Sequence, residues 1–120
     1  MPSSDPVQRF TDIIENIDRI EQFTKGLDEP AFVANDQVTF AVKYALTIIS
    51  EATAKLGDTA PDLRPDIPWR EIRGLGNRPR HDYDTVDLAR VWLLIERDLP
   101  PLKVACQDAL RVLSQGGSPG

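Results

Sequence analysis

The chain has 120 residues, 41% of them hydrophobic and 28% charged, with a formal net charge of -5. That length supports one domain with a real core, and the acidic balance argues against wholesale coating of nucleic acid, which calls for a broadly basic face. The single cysteine, Cys106, excludes an intrachain disulfide and fits a reducing cytosol.

Apolar spacing is helical almost throughout. Asp5 is placed to cap a first helix, with Pro6 at its first position and Gln8 three residues after the cap. Phe10, Ile13, Ile14, Ile17 and Ile20 form its inner face, and Gly26 ends it. A short segment around Phe32 leads to Asn35 or Asp36, candidate caps for a second helix. The stripe of that helix is Val38, Ala41, Val42, Ala45, Ile48, Ile49, Ala52 and Leu56, and Gly57 stops it. Residues 58–66 contain two prolines and no periodicity, which reads as a loop.

Pro68 is expected to open a third helix at its first position, through Trp69, Ile72 and Leu75. Asp84 is a candidate cap for a fourth, with Leu88, Val91, Trp92, Ile95 and Leu99 inward. Pro100 and Pro101 break that helix and start a fifth, whose inner face is Leu102, Ala105, Cys106, Ala109 and Leu113. Residues 1–115 therefore read as one all-α, antiparallel four-to-five-helix bundle, with 116–120 as a flexible tail. No apolar run approaches the roughly 20 residues of a membrane helix. The opening M-P-S-S-D-P shows no secretory pattern, so a cytoplasmic location is expected.

Charge is concentrated in one place. Between Arg64 and Arg80 stand five arginines against Asp66 and Glu71, locally +3, leaving -8 on the remainder. Directly after it come the only histidine, His81, and Tyr83. Such a strip on an acidic body suits a short phosphate ligand or an acidic partner. The plainer alternative is a solvated face pairing with acidic residues elsewhere. Trp69 and Trp92 read as core or interface aromatics, and Cys106 as core. Glu51 is expected to face water or a neighbouring arginine. No cluster has metal-ligand spacing, so neither a metal nor another cofactor is expected.

The ordered set Pro68, Trp69, Ile72, Gly74, Leu75, Asn77, Arg78, His81 and Tyr83 is followed by Val86-Asp87 and by Trp92, Ile95, Asp98, Leu99, Pro100 and Leu102. With Asp12-Ile13-Ile14, Ile17, Ile20 and the Glu51-Ala52 pair, it resembles the HepT-like branch of the HEPN superfamily over about residues 7–113. The resemblance implies a homodimeric helical bundle that acts as a metal-independent endoribonuclease toxin. It also implies a cleft between protomers and silencing by a cognate MntA-like nucleotidyltransferase antitoxin.

The family motif is Arg, four residues, His, one residue, Tyr. It places His81 as base or proton relay and Tyr83 as the residue to which the transferase attaches adenylate. Its arginine position is occupied by Gly76. A cation must still stabilise the phosphoryl oxygens. Arg78, three residues before His81, leads the candidates, and Arg80 and Arg73 are the others. Asn77 is a further catalytic candidate if the cleft places it at phosphate, and otherwise a helix end-cap. Pro79 stands where the family continues a helix, at a cost of about 3 kcal/mol or more in a helix interior. The third helix is therefore expected to end or kink near Asn77. Gly76 and Pro79 also motivate a second expectation, a catalytically degenerate subunit that docks a nucleotidyltransferase without cutting RNA.

Overall fold

Each long amphipathic stripe in the sequence becomes a helix because its apolar face has somewhere to go. The computed structural model describes residues 5–74 and 85–116. These form α1 (Pro6–Thr24), α2 (Glu29–Ala34), α3 (Asp36–Leu56), α4 (Thr59–Leu63), α5 (Trp69–Gly74), α6 (Thr85–Arg97) and α7 (Leu99–Gly116), with no strand among the described residues. The all-α bundle read from the sequence is the observed architecture.

α1 begins where Asp5 accepts the Gln8 N–H, with Pro6 in the first turn. Its inner residues Phe10, Ile13, Ile17 and Ile20 are completely buried. Past its end, Gly26 takes a positive φ of 80°. The segment around Phe32 is a short helix, α2, capped by Asp28 and burying Phe32. Asn35, not Asp36, caps α3, its side chain accepting the Val38 N–H at 3.0 Å. α3 packs on both α1 and α5. Of its expected stripe, Val42, Ala45, Ile49, Ala52 and Leu56 are buried, whereas Val38, Ala41 and Ile48 are only half-buried. Leu46, Thr39 and Thr53 join the core instead.

Three boundaries differ from the sequence reading, at α4, at Pro68 and at Leu99, which opens the last helix instead of ending the one before it. Within 58–66, Thr59–Leu63 is helical and buries Ala60. A five-residue turn is too short to show a period, and Pro61 falls in its first turn, where a missing N–H costs nothing. Pro68 precedes the first helical residue of α5 rather than occupying it; its carbonyl accepts from Glu71 and Ile72. α6 and α7 are separated by Asp98 alone, and α7 starts at Leu99 with both prolines in its first turn. Leu88, Val91, Trp92, Ile95, Leu99, Leu102, Ala105, Cys106 and Ala109 are buried as expected, and Leu113 is half-buried. The expected cap Asp84, Leu75 and residues 117–120 of the tail lie outside the described residues.

Cys106 is inaccessible to solvent on the inner face of α7. Burial pushes its thiol up from 9.0 to about 12, with Arg64 opposing weakly. A group neutral in the core but ionisable when unfolded contributes stability that is intact below about pH 9 and is lost as pH climbs towards about 12. Denaturant unfolding between pH 8 and 11 is expected to show this loss, at no more than about 1.4 kcal/mol per pH unit. Cys106→Ala removes that component of the slope.

Candidate functional site

The motif segment is suspended between two helices, each seated by a tryptophan. On the entry side, α5 buries Trp69 and Ile72. The Trp69 ring meets Phe10 of α1 edge-on at 6.5 Å, and its indole N–H donates to the Arg64 carbonyl at 2.7 Å. On the exit side, Trp92 of α6 packs on Phe32 of α2 with ring centroids 5.2 Å apart. Both tryptophans are thus core residues, as the sequence suggested.

A third fixture was not legible in the sequence. The Ser50 hydroxyl, on the buried side of α3, donates to the Arg73 carbonyl at 2.6 Å, 23 residues away in the chain. The last carbonyls of any helix lack intrahelical partners, and a buried one without a donor is costly. Ser50 meets that need at the last turn of α5, one residue before Gly74, and so fixes the root of the motif segment. A serine on a mainly apolar helix face was the only available signal.

The arginine strip divides by role. Arg64 is committed to structure: Nε and Nη2 bind both carboxylate oxygens of Asp66 at 2.8 and 2.7 Å, and Nη1 binds Asp108 of α7 at 3.0 Å. Arg111 holds the other Asp108 oxygen at 2.6 Å. The hydrogen bonds that Arg64 donates to Asp66 raise the Arg64 pKa above its ordinary value, and they lower that of Asp66. This arginine follows the plainer expectation of pairing with distant acidic residues. Arg70 and Arg73 instead stand exposed on α5, three residues apart and so on one side of it. Arg73, the one candidate phosphate-binding residue within the described structure, thus faces water at the root of the motif. Glu51 is exposed on α3, as expected. Gly76, Asn77, Arg78, Pro79, Arg80, His81 and Tyr83 lie outside the described residues, and with them the expected end of the third helix. Among the described residues, no three of His, Cys, Asp and Glu are grouped so as to hold a metal, and no helix is long and apolar enough to cross a membrane.

Comparison with known proteins places this geometry in a lineage. The family model described as Ribonuclease HepT-like matches residues 13–109. A protein of Thermococcus cleftensis named probable ribonuclease HepT is 37% identical over 92 residues, 77% of this chain and 84% of its own. Two proteins of Methanocaldococcus jannaschii, provisionally named as RNases, are similar as well. One is 34% identical over 92 residues, 77% of this chain and 84% of its own. The other is 30% identical over 115 residues, 96% of this chain and 99% of its own. No solved structure matches this chain.

Removing the Ser50 hydroxyl leaves the Arg73 carbonyl without this donor in a partly buried setting. Ser50→Ala is expected to lower stability by about 1–2 kcal/mol in urea unfolding, with the loss of amide-exchange protection centred on α5.

Proposed function

Because the chain belongs to the HepT-like ribonuclease family, we propose that it is a metal-independent endoribonuclease. In this reading it works in the cytoplasm as the toxin of a toxin–antitoxin pair and is silenced by a cognate nucleotidyltransferase. The observation that supports it most is His81 and Tyr83 at the family's motif spacing, on a segment whose root is fixed by Ser50 and Trp69.

The chemistry needs no metal. The 2′-hydroxyl of the target ribose attacks the adjacent phosphorus, its proton passes to His81, and the P–O5′ bond breaks. A 2′,3′-cyclic phosphate and a 5′-hydroxyl end result, the latter taking up a proton. An imidazole with an ordinary pKa of about 6.5 can accept and return that proton near neutral pH. The charge gathering on the phosphoryl oxygens calls for a cation, and arginine's planar fork suits it. Arg78 is the first candidate, with Arg80, Arg73 and, as a hydrogen-bond donor, Asn77 beside it. Two copies would share one cleft, each supplying a motif segment. Adenylate on Tyr83 would add bulk and negative charge there and repel the RNA backbone, by the logic of phosphorylation.

The purified protein is expected to cleave RNA in excess EDTA, and His81→Ala to lose about 10²–10⁴ of that rate. Activity that survives the substitution removes His81 from the mechanism.

A second reading is favoured by Gly76, which leaves the motif's arginine position without a side chain. In it the subunit binds the transferase but does not cut. An inert wild type that gains cleavage on Gly76→Arg supports this reading, and an active wild type rejects it.

A further inference from the structure

The six residues of α5 are too few to hold a helix by themselves, yet two directional hydrogen bonds fix them. At the entry the Trp69 indole N–H donates to the Arg64 carbonyl at 2.7 Å, and at the exit the Ser50 hydroxyl donates to the Arg73 carbonyl at 2.6 Å. With Trp69 and Ile72 buried, the outward side carries Arg70 and Arg73, both exposed. Neither makes an ion pair or a side-chain hydrogen bond to another described residue. Acids are plentiful in a chain of net charge -5, and Arg9, Arg64, Lys103 and Arg111 each pair with at least one. Two cations on a fixed backbone are thus left to meet a ligand.

We propose that this side of α5 is a ledge for the backbone of single-stranded RNA. Arg70, with Arg73 beside it, grips a phosphate next to the one that is cut, whatever the bases. The inference rests on the nuclease reading above and adds to it a binding residue outside the motif.

Geometry supports the extended shape of the ligand. The two arginines are three residues apart, with Cβ atoms about 5–6 Å from each other. Arg73 is the nearer to the motif in the chain, and Arg70 lies about 4.5 Å further back along the helix axis. A ligand that reaches from the motif to Arg70 must carry negative charge at intervals, as a polynucleotide strand does. Glu71, the acid of α5, is turned about 100° from Arg70 and about 160° from Arg73 at 3.6 residues per turn.

Residue type supports phosphate. Between Arg64 and Arg80 every cation is an arginine, while Lys25, Lys43, Lys55 and Lys103 all stand elsewhere. The guanidinium fork binds two phosphate oxygens at once, which an ammonium does not. The reaction supports a single strand, because in-line attack by the 2′-hydroxyl needs a backbone free to leave A-form geometry. An acidic protein is the competing occupant. Protein interfaces have an apolar centre, and the exposed side chains of α5 are Arg70, Glu71 and Arg73, none of them apolar.

The test is binding of the full chain, in excess EDTA, to a fluorescent 2′-O-methyl single strand, which lacks the attacking hydroxyl and stays intact. Anisotropy is followed from about 50 to 300 mM NaCl. Each phosphate contact to a single strand contributes about 0.7 to the slope of log affinity against log salt. Arg70→Ala is expected to lower the slope by that amount and to raise the Kd about 5–10-fold at low salt. Arg70→Lys keeps the slope but weakens binding. Lys25→Ala removes the same charge from an exposed site at the end of α1 and leaves the slope unchanged. On cleavable RNA, Arg70→Ala raises KM and spares kcat, since a phosphate that does not react is held equally before and during the reaction.

An unchanged slope in both Arg70→Ala and the Arg70→Ala/Arg73→Ala double variant overturns the ledge. So does an equal loss in Lys25→Ala, which makes the effect one of net charge alone. Poly-glutamate that competes as well as poly-uridylate of equal charge overturns it in favour of an acidic protein. A loss confined to kcat overturns it too, by moving Arg70 to the reacting phosphate. The two readings fail separately: Arg70-dependent binding without cleavage upholds the ledge and rejects the nuclease, whereas cleavage indifferent to Arg70 upholds the nuclease and rejects the ledge.

Discussion

The seam between α1 and α3 is the constraint on which the rest of the molecule depends. Phe10, Ile13, Ile17 and Ile20 give up all contact with water against a helix that buries Val42, Ala45, Ile49 and Ala52 in return. A fully buried large aliphatic or aromatic side chain is favoured by roughly 1.5–3 kcal/mol relative to an exposed one, so these residues outweigh any exposed ion pair in the fold. The other elements attach to this seam. α5 reaches it through Trp69 on Phe10 and through Ser50. α7 lies along α1, where Lys103 bridges Asp18 and Glu21 at 2.7 and 3.3 Å. α6 joins through α7 and through Trp92 on Phe32.

Around the motif, apolar and polar forces divide the work. The tryptophans place the two flanking helices, but burial is non-directional and leaves rotation about a helix axis poorly fixed. Direction comes from hydrogen bonds that only one orientation satisfies: the indole N–H on the Arg64 carbonyl and the Ser50 hydroxyl on the Arg73 carbonyl. Arg64 contributes twice, since its carbonyl receives Trp69 while its guanidinium spans from Asp66 to Asp108. An arginine that looks from sequence like part of a phosphate-binding strip is thus a brace between the α4–α5 connection and α7.

The sequence conveyed the bundle well because amphipathic spacing reports on burial directly. The five expected helices appear, and most of the expected inward residues are buried. It conveyed less where no period can develop, as in α4, or where a polar side chain is buried for reasons outside its own helix, as with Thr53 and Ser50. Thr53 satisfies its hydroxyl on the Ile49 carbonyl one turn back and so sits in the core at no penalty in unpaired groups. Ile48 and Ala41 fit the stripe by spacing yet remain half-exposed, because they border the groove beside α1 rather than the centre of the seam. Of the candidate site, the family resemblance supplied the expectation of His81, Tyr83 and the arginine position occupied by Gly76. The fixtures at its root come from contacts distant in sequence, which no local pattern encodes.

The corner between α6 and α7 limits how subunits can assemble. Exchange of a terminal helix between two chains requires a hinge that can straighten, and here the hinge is Asp98 alone. Straightening it would make one continuous helix and place Pro100 and Pro101 in its interior, against the carbonyls of Glu96 and Arg97, at about 3 kcal/mol or more for each ring. Each bundle therefore keeps its own final helix. Any association of copies would then be between finished monomers, second order in protein and reversible on dilution, rather than through intertwined chains that must unfold to separate.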